Sequence, residues 1–123
     1  MKLLNSLYTV IDHSSTDLSQ DFTIRLDAEH FIYKAHFPGE PITPGVCIMQ
    51  IALELMELAT EKSLAVTCVK NVKFLRIIVP TEVNEVCYSL QKISLEEETA
   101  KAQIVVSANG DVYAKLSLIC QIN

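Results

Sequence analysis

The run Gly45-Val-Cys-Ile-Met-Gln-Ile-Ala-Leu-Glu-Leu-Met-Glu-Leu-Ala-Thr-Glu-Lys62 has Pro44 immediately before it, strong helix formers along its length and no breaker inside it. Those features predict a helix of about four turns, because Pro suits a helix start and Leu, Met, Ala and Glu lose little freedom in a helix. At its N-terminal end apolar residues cover nearly the whole circumference. A surface helix keeps a broad polar face, so other structure must surround this one. The longest apolar part, residues 46–59, includes Gln50, Glu54 and Glu57 and falls short of the roughly 20 residues that cross a bilayer. A buried helix is expected, not a membrane span.

The flanks supply what surrounds it. Residues 21–26 alternate, with Phe22, Ile24 and Leu26 against Asp21, Thr23 and Arg25, which is the period of a half-buried strand. A second strand is expected at 30–35. Beyond the helix, residues 66–79, 83–95 and 99–108 are rich in Val, Ile, Tyr and Phe, and Asn109-Gly110 is a hairpin turn into residues 112–122. These read as consecutive antiparallel strands, the last placing Val112, Ala114, Leu116 and Leu118 toward the helix. One long helix enclosed by a curved antiparallel sheet is an α+β architecture.

A length of 123 residues suits one domain spanning 1–123. Half the residues are apolar, with only 3 Gly and 4 Pro, which excludes disorder as the main state. Ten basic against 15 acidic side chains give a net charge of −5. Whole-surface attraction to nucleic acid or an anionic membrane is therefore absent, and an anionic partner must meet a local basic patch. Residues 62–76 offer one, with Lys62, Lys70, Lys73 and Arg76 and no acidic residue; its plain alternative is the solvated face of a strand. Cysteines 47, 68, 87 and 120 form no C-x-x-C, which argues against a zinc or dithiol site, and no metal is expected. Polar Asn5, Ser6, Thr9, Asp12 and His13 interrupt the N-terminus, so no signal-peptide core forms and a cytoplasmic location with reduced thiols is expected.

Three of the prolines and two of the glycines fall in His36-Phe-Pro-Gly-Glu-Pro-Ile-Thr-Pro-Gly-Val46. Such a loop is rigid. With a strand ending at His36 and Pro44-Gly45 opening the helix, the imidazole is expected near the unpaired N–H groups of the helix start, a base beside an oxyanion site.

The series His36-Phe37-Pro38-Gly39-x-Pro41-x-x-Pro44-Gly45-Val46 resembles the signature of the 3-hydroxyacyl-(acyl carrier protein) dehydratases of fatty acid synthesis. Val69-Lys-Asn-Val-Lys-Phe74 and Val79-Pro80 resemble that family's next strand and turn, so the resemblance covers nearly the whole chain. It implies the hotdog fold. It also implies that His36 removes the α-proton of a 3-hydroxyacyl thioester while the Gly45 N–H binds the thioester oxygen, and that Phe37, Pro38, Gly39, Pro44 and Val46 line the substrate site. No cofactor is implied beyond the phosphopantetheine arm of the acyl carrier protein. The chemistry agrees: a neutral imidazole is a usable base at cytoplasmic pH, a helix start carries roughly half a positive charge, and one backbone donor is worth on the order of 3 kcal/mol of barrier. The resemblance further implies a homodimer, alone or assembled further, with His36 of one chain facing position 50 or 54 of the other. A helix so apolar in so small a domain needs more cover than one sheet gives.

The sequence departs from that pattern at one place. Fourteen positions after the histidine, where the family carries Glu or Asp, stands Gln50, and one turn later, where a Gln is common, stands Glu54. The two share a helix face about 6 Å apart. An amide cannot donate a proton as an acid, so Glu54, directly or through a water held by Gln50, is the expected acid. The alternatives are a Glu54 in a cleft, in solvent or at an interface, and a Gln50 paired with a neighbour in the core. His13 and His30 read as surface or packing residues, Glu57 and Glu61 as solvent-facing, and Cys47 as a small core residue. Lys70, Lys73 and Arg76 read as a docking rim for an anionic carrier protein. Three functions stay open: dehydration to a trans-2-enoyl thioester in fatty acid synthesis or a specialised polyene or polyketide-like pathway, acyl thioester hydrolysis, and non-catalytic binding of acyl chains or carrier.

Overall fold

Alternation of apolar and polar residues writes most of the sheet. In the computed structural model, which describes residues 2–36 and 39–123, the elements run β1 (Tyr8–Ser15), β2 (Ser19–Leu26), α1 (Phe31–His36), α2 (Gly45–Thr60), β3 (Leu64–Phe74), β4 (Glu85–Leu95), β5 (Thr99–Ala108) and β6 (Asp111–Ile122). The strands form one antiparallel sheet in the order β1-β2-β4-β5-β6-β3. Phe22, Ile24, Tyr88, Leu90, Ile104, Leu116 and Leu118 turn inward and are buried. From α2, Cys47, Ile48, Ile51, Ala52, Leu55 and Met56 meet them. Each such Leu or Ile contributes about 1.5–3 kcal/mol on burial, so sheet and helix stabilise each other.

The sheet is bent rather than flat. Bulges interrupt the register of β3 between Lys70 and Lys73 and of β4 between Gln91 and Ser94, with Asn71 at φ 54° and Lys92 at φ 51°, and bulges increase twist and curvature. Asn109 at φ 52° and Gly110 at φ 83° make the tight turn from β5 to β6. The Tyr88 hydroxyl donates to the Ile48 carbonyl at 3.1 Å and ties β4 to the helix. A curved antiparallel sheet around one long helix is the hotdog fold expected from the sequence.

Five details differ from expectation. Residues 30–35 are not a strand: Phe31–His36 is a short helix, started where the Ile32 N–H donates to His30 Nδ1 at 3.1 Å. The strand expected at 66–79 stops at Phe74, where Leu75 and Arg76 N–H both turn to the Tyr113 carbonyl. It pairs with β6 rather than with β4, because the connection after Phe74 carries the chain across the helix start, where the Thr43 N–H donates to the Ile78 carbonyl at 2.8 Å. The fourth is β1, an edge strand with mostly exposed residues that carries no apolar alternation to announce it. The long helix ends at Thr60, two residues early, with Glu61 at φ 57° and its N–H returned to the Glu57 carbonyl. Among the described residues no helix is long and apolar enough to cross a membrane.

Candidate active site

His36 is the last residue of α1 and is exposed; Gly45 is the first residue of α2. Between them runs the Pro/Gly loop, of which Phe37 and Pro38, both expected at the substrate site, lie outside the described residues. The loop is pinned at its two ends. Tyr33, one turn before His36, and Thr43, two residues before Gly45, join their hydroxyls at 3.1 Å in a buried contact. Neither residue was singled out by sequence reasoning, since no local pattern pairs them. Burial pushes the Tyr33 hydroxyl above its ordinary range, and the Thr43 bond opposes that in part, so Tyr33 stays a neutral hydrogen-bonding group. His36 is therefore delivered by a helix end, not by the strand end expected.

The start of α2 is open as oxyanion chemistry requires. Pro44 precedes the helix in extended conformation without a side-chain cap, and its carbonyl accepts from the Cys47 and Ile48 N–H groups at 2.9 and 3.1 Å. Among the described residues none accepts from the Gly45 or Val46 N–H, which leaves donors at the positive end of the helix dipole. Phe74 of β3 stands over this end: a Cβ on Gly45 would lie 3.0 Å from its ring. Val46 is exposed in the first turn and Pro44 is buried beneath it. Gly39 lies on a separate concavity of about 250 Å³ with Glu40, Pro41, Ile42, Ile77, Val79 and Glu82.

Of the alternatives weighed for position 54 beside the acid role, a carboxylate in solvent does not match. Glu54 is buried inside its own chain, 4% exposed, which is tolerable because it is fully hydrogen-bonded. Its Oε1 accepts from the Leu4 N–H at 2.7 Å and the Tyr8 hydroxyl at 3.0 Å. Its Oε2 accepts from the Leu3 N–H and Gln50 Nε2, both at 2.8 Å. Burial first, then the Glu54 charge, raises the Tyr8 hydroxyl far above the usual phenol range and keeps it a donor. Gln50 is half-buried and has interactions beyond Glu54. One turn further, Glu57 is half-buried rather than solvent-facing and accepts the Leu64 N–H at 2.9 Å, starting β3. Cys47 is buried, and burial raises its thiol.

The basic residues redistribute. Lys73 of β3 stands opposite Lys115 of β6, and Lys70 opposite Ser117, all on the face of the sheet away from α2. Lys73 and Lys115 line a concavity of about 300 Å³ with Asn71, Gln91, Gln103 and Ser117. Arg76 is not part of it; it lies 3.7 Å from Asp111.

Comparison with known proteins adds family to geometry. The model of the ApeI-like family, described as ApeI dehydratase, matches residues 12–115. The chain is 27% identical over 97 residues to the 3-hydroxyacyl-(acyl-carrier-protein) dehydratase FabZ of Latilactobacillus sakei, covering 73% of this chain and 69% of that protein. Among solved structures, the dehydratase heterocomplex ApeI:P of Xenorhabdus doucetiae superposes with a TM-score of 0.66 at 15% identity, covering 91% of this chain and 96% of that one. A Haemophilus influenzae thioesterase gives 0.69 at 14% identity, covering 97% and 80%. At those identities the two structures share the fold.

Proposed function

The chain belongs to the ApeI-like dehydratase family, and on that premise we propose that it removes water from a 3-hydroxyacyl thioester on an acyl carrier protein, giving the trans-2-enoyl thioester. The observation that carries this reading is the pinned loop, which places a histidine at one end and an uncapped helix start at the other. His36 takes the C2 proton. Enolate charge developing on the thioester oxygen is met by the Gly45 N–H, and Gln50 addresses the 3-hydroxyl. Pro44 and Val46 shape the mouth beside Phe74. The reaction asks for no cofactor beyond the phosphopantetheine arm that brings the substrate. The product serves fatty acid synthesis or a specialised polyene or polyketide-like pathway.

Lys70 and Lys73 receive the anionic carrier, with Lys115 taking the place first given to Arg76, whose guanidinium already has Asp111 beside it. Two copies pair through the edge strand β3, a reading supported by the exposed Val66, Val72, Phe74, Leu75 and Ile77 at that edge; a dimer in sedimentation equilibrium is the expected result, and a monomer would contradict it. Thioester hydrolysis is the second reading, favoured by the amide at Gln50. It needs a carboxylate to activate water, and Glu54 has its oxygens occupied. Incubation with a 3-hydroxyacyl carrier substrate, followed by mass, separates the readings: loss of water supports the dehydratase, release of free acid the hydrolase, and binding without change a non-catalytic subunit.

A further inference from the structure

Helix α1, at 6 residues, is too short to hold itself, so it leans on the bond at its start. The residue before it, His30, occupies the capping position that Ser, Thr, Asp or Asn usually fills. Its Nδ1 accepts the Ile32 N–H at 3.1 Å. A backbone N–H only donates, so Nδ1 carries a lone pair and the one ring proton is on Nε2, which donates to Ser6 Oγ at 2.8 Å. The ring also stacks on Phe31, centroids 4.7 Å apart. The backbone of His30 is held as well, its N–H by the Asp27 carbonyl at 3.1 Å and its carbonyl by the Tyr33 N–H at 3.2 Å. The charged residues nearby are Asp27 and Glu29 in the turn before the helix and Lys34 on α1. Asp27 Oδ1 accepts the Glu29 N–H at 3.0 Å. In residues 3–8 the one titratable side chain, Tyr8, donates to Glu54. Among the described residues no carboxylate forms an ion pair with the His30 ring.

We propose that His30 is a pH-operated cap: the neutral imidazole starts α1, and protonation at Nδ1 withdraws that start and loosens the seat of His36. The inference adds regulation to the dehydratase reading and rests on it where activity is concerned. In the imidazolium both ring nitrogens donate, so the Ile32 N–H meets a hydrogen instead of a lone pair. A positive charge at the positive end of a helix adds to the conflict. Ile32 is buried, where an unpaired N–H is costly. The Nε2–H bond to Ser6 survives protonation, so the ring stays anchored to the N-terminal segment and the loss falls on α1. His36 is the last residue of that helix. A Ser, Asn or Asp cap would keep its acceptor between about pH 5 and 8, whereas an ordinary imidazole changes its charge there.

His30 and His36 flank α1, so the test compares wild type with His30→Asn, whose amide oxygen caps a helix without titrating. The first readout needs no turnover: NMR of the His30 ring nitrogens, with the hydrogen-exchange protection of the Ile32 N–H, between about pH 8 and 5. In wild type the ring holds its proton on Nε2 at the upper end. Protection at Ile32 then falls about 5-fold as the ring gains its second proton, the effect of losing a cap; in His30→Asn it stays level. A neutral ring protonated on Nδ1, or an Ile32 N–H whose protection ignores the titration, overturns the cap. The second readout is kcat/KM over the same range. On the acid side the wild type falls more steeply than the single proton of His36 requires, and His30→Asn falls with a single-proton slope. Superimposable profiles overturn the coupling to the site. Absence of water loss at every pH, with the Ile32 change intact, counts against the dehydratase reading alone. His30→Asp supplies the same comparisons if His30→Asn fails to fold.

Discussion

At Gly45 a hydrogen in place of a side chain keeps the helix start open. A Cβ there would sit 3.0 Å from Cζ and 3.2 Å from Cε2 of Phe74, and that ring is half-exposed and has room to swing. Gly45→Ala is expected to cost about 1–3 kcal/mol of stability through overpacking and to slow dehydration; Phe74→Ala in the same chain restores most of the stability, so the double variant is non-additive. Thermal melts of the four proteins check it. Cys120 gives a different signal. Burial first, and the Glu57 charge second, push its thiol from 9.0 up to about 11. The folded state therefore holds that proton more tightly than the unfolded state. Its contribution is complete below pH 9 and is lost as pH rises through about 11. The melting temperature should fall across that window, and less steeply in Cys120→Ala.

At the scale of elements, the proposed reaction depends on how α1 meets α2. Tyr33→Phe removes a buried bond worth about 1 kcal/mol, and the expected loss in kcat exceeds what a fold defect alone would give, because the His36 end of α1 is released; Thr43→Ser, which keeps the hydroxyl, should retain activity. Parallel melts and kinetics decide it. The legibility of the elements follows the same physics. Helix α2 declares itself because its apolar residues run all round and Pro44 marks its start. Helix α1 does not: Phe-Ile-Tyr-Lys-Ala-His is short and rich in strand formers, and it is helical because His30 and Thr43 bond to it from outside. That a Pro/Gly-rich loop joins His36 to the helix start at Gly45 was legible in the sequence. The surroundings of Glu54 were not, since Leu3 and Leu4 lie 51 and 50 residues away and no local pattern joins them.

At the scale of the molecule, an acidic chain keeps a basic concavity on the outer face of its sheet, where Lys73 faces Lys115 across two strands. Like charges placed directly opposite each other are unfavourable, and the proposed anionic carrier would relieve them. Reversing Lys70, Lys73 and Lys115 to Glu is expected to raise KM for a carrier-bound substrate and to spare a short pantetheine analogue, while Arg76→Glu does less; equal effects on both substrates would contradict carrier docking. Beneath that surface, the proposed reaction assigns the curved sheet, the uncapped helix and the pinned loop to one act, removal of a proton from C2 by His36. The most direct measurement is exchange in heavy water with a 3-hydroxyacyl carrier substrate, comparing wild type with a folded His36→Gln. The account predicts deuterium at C2 together with loss of water in the wild type and neither in the variant; exchange and water loss that persist without the imidazole would contradict it.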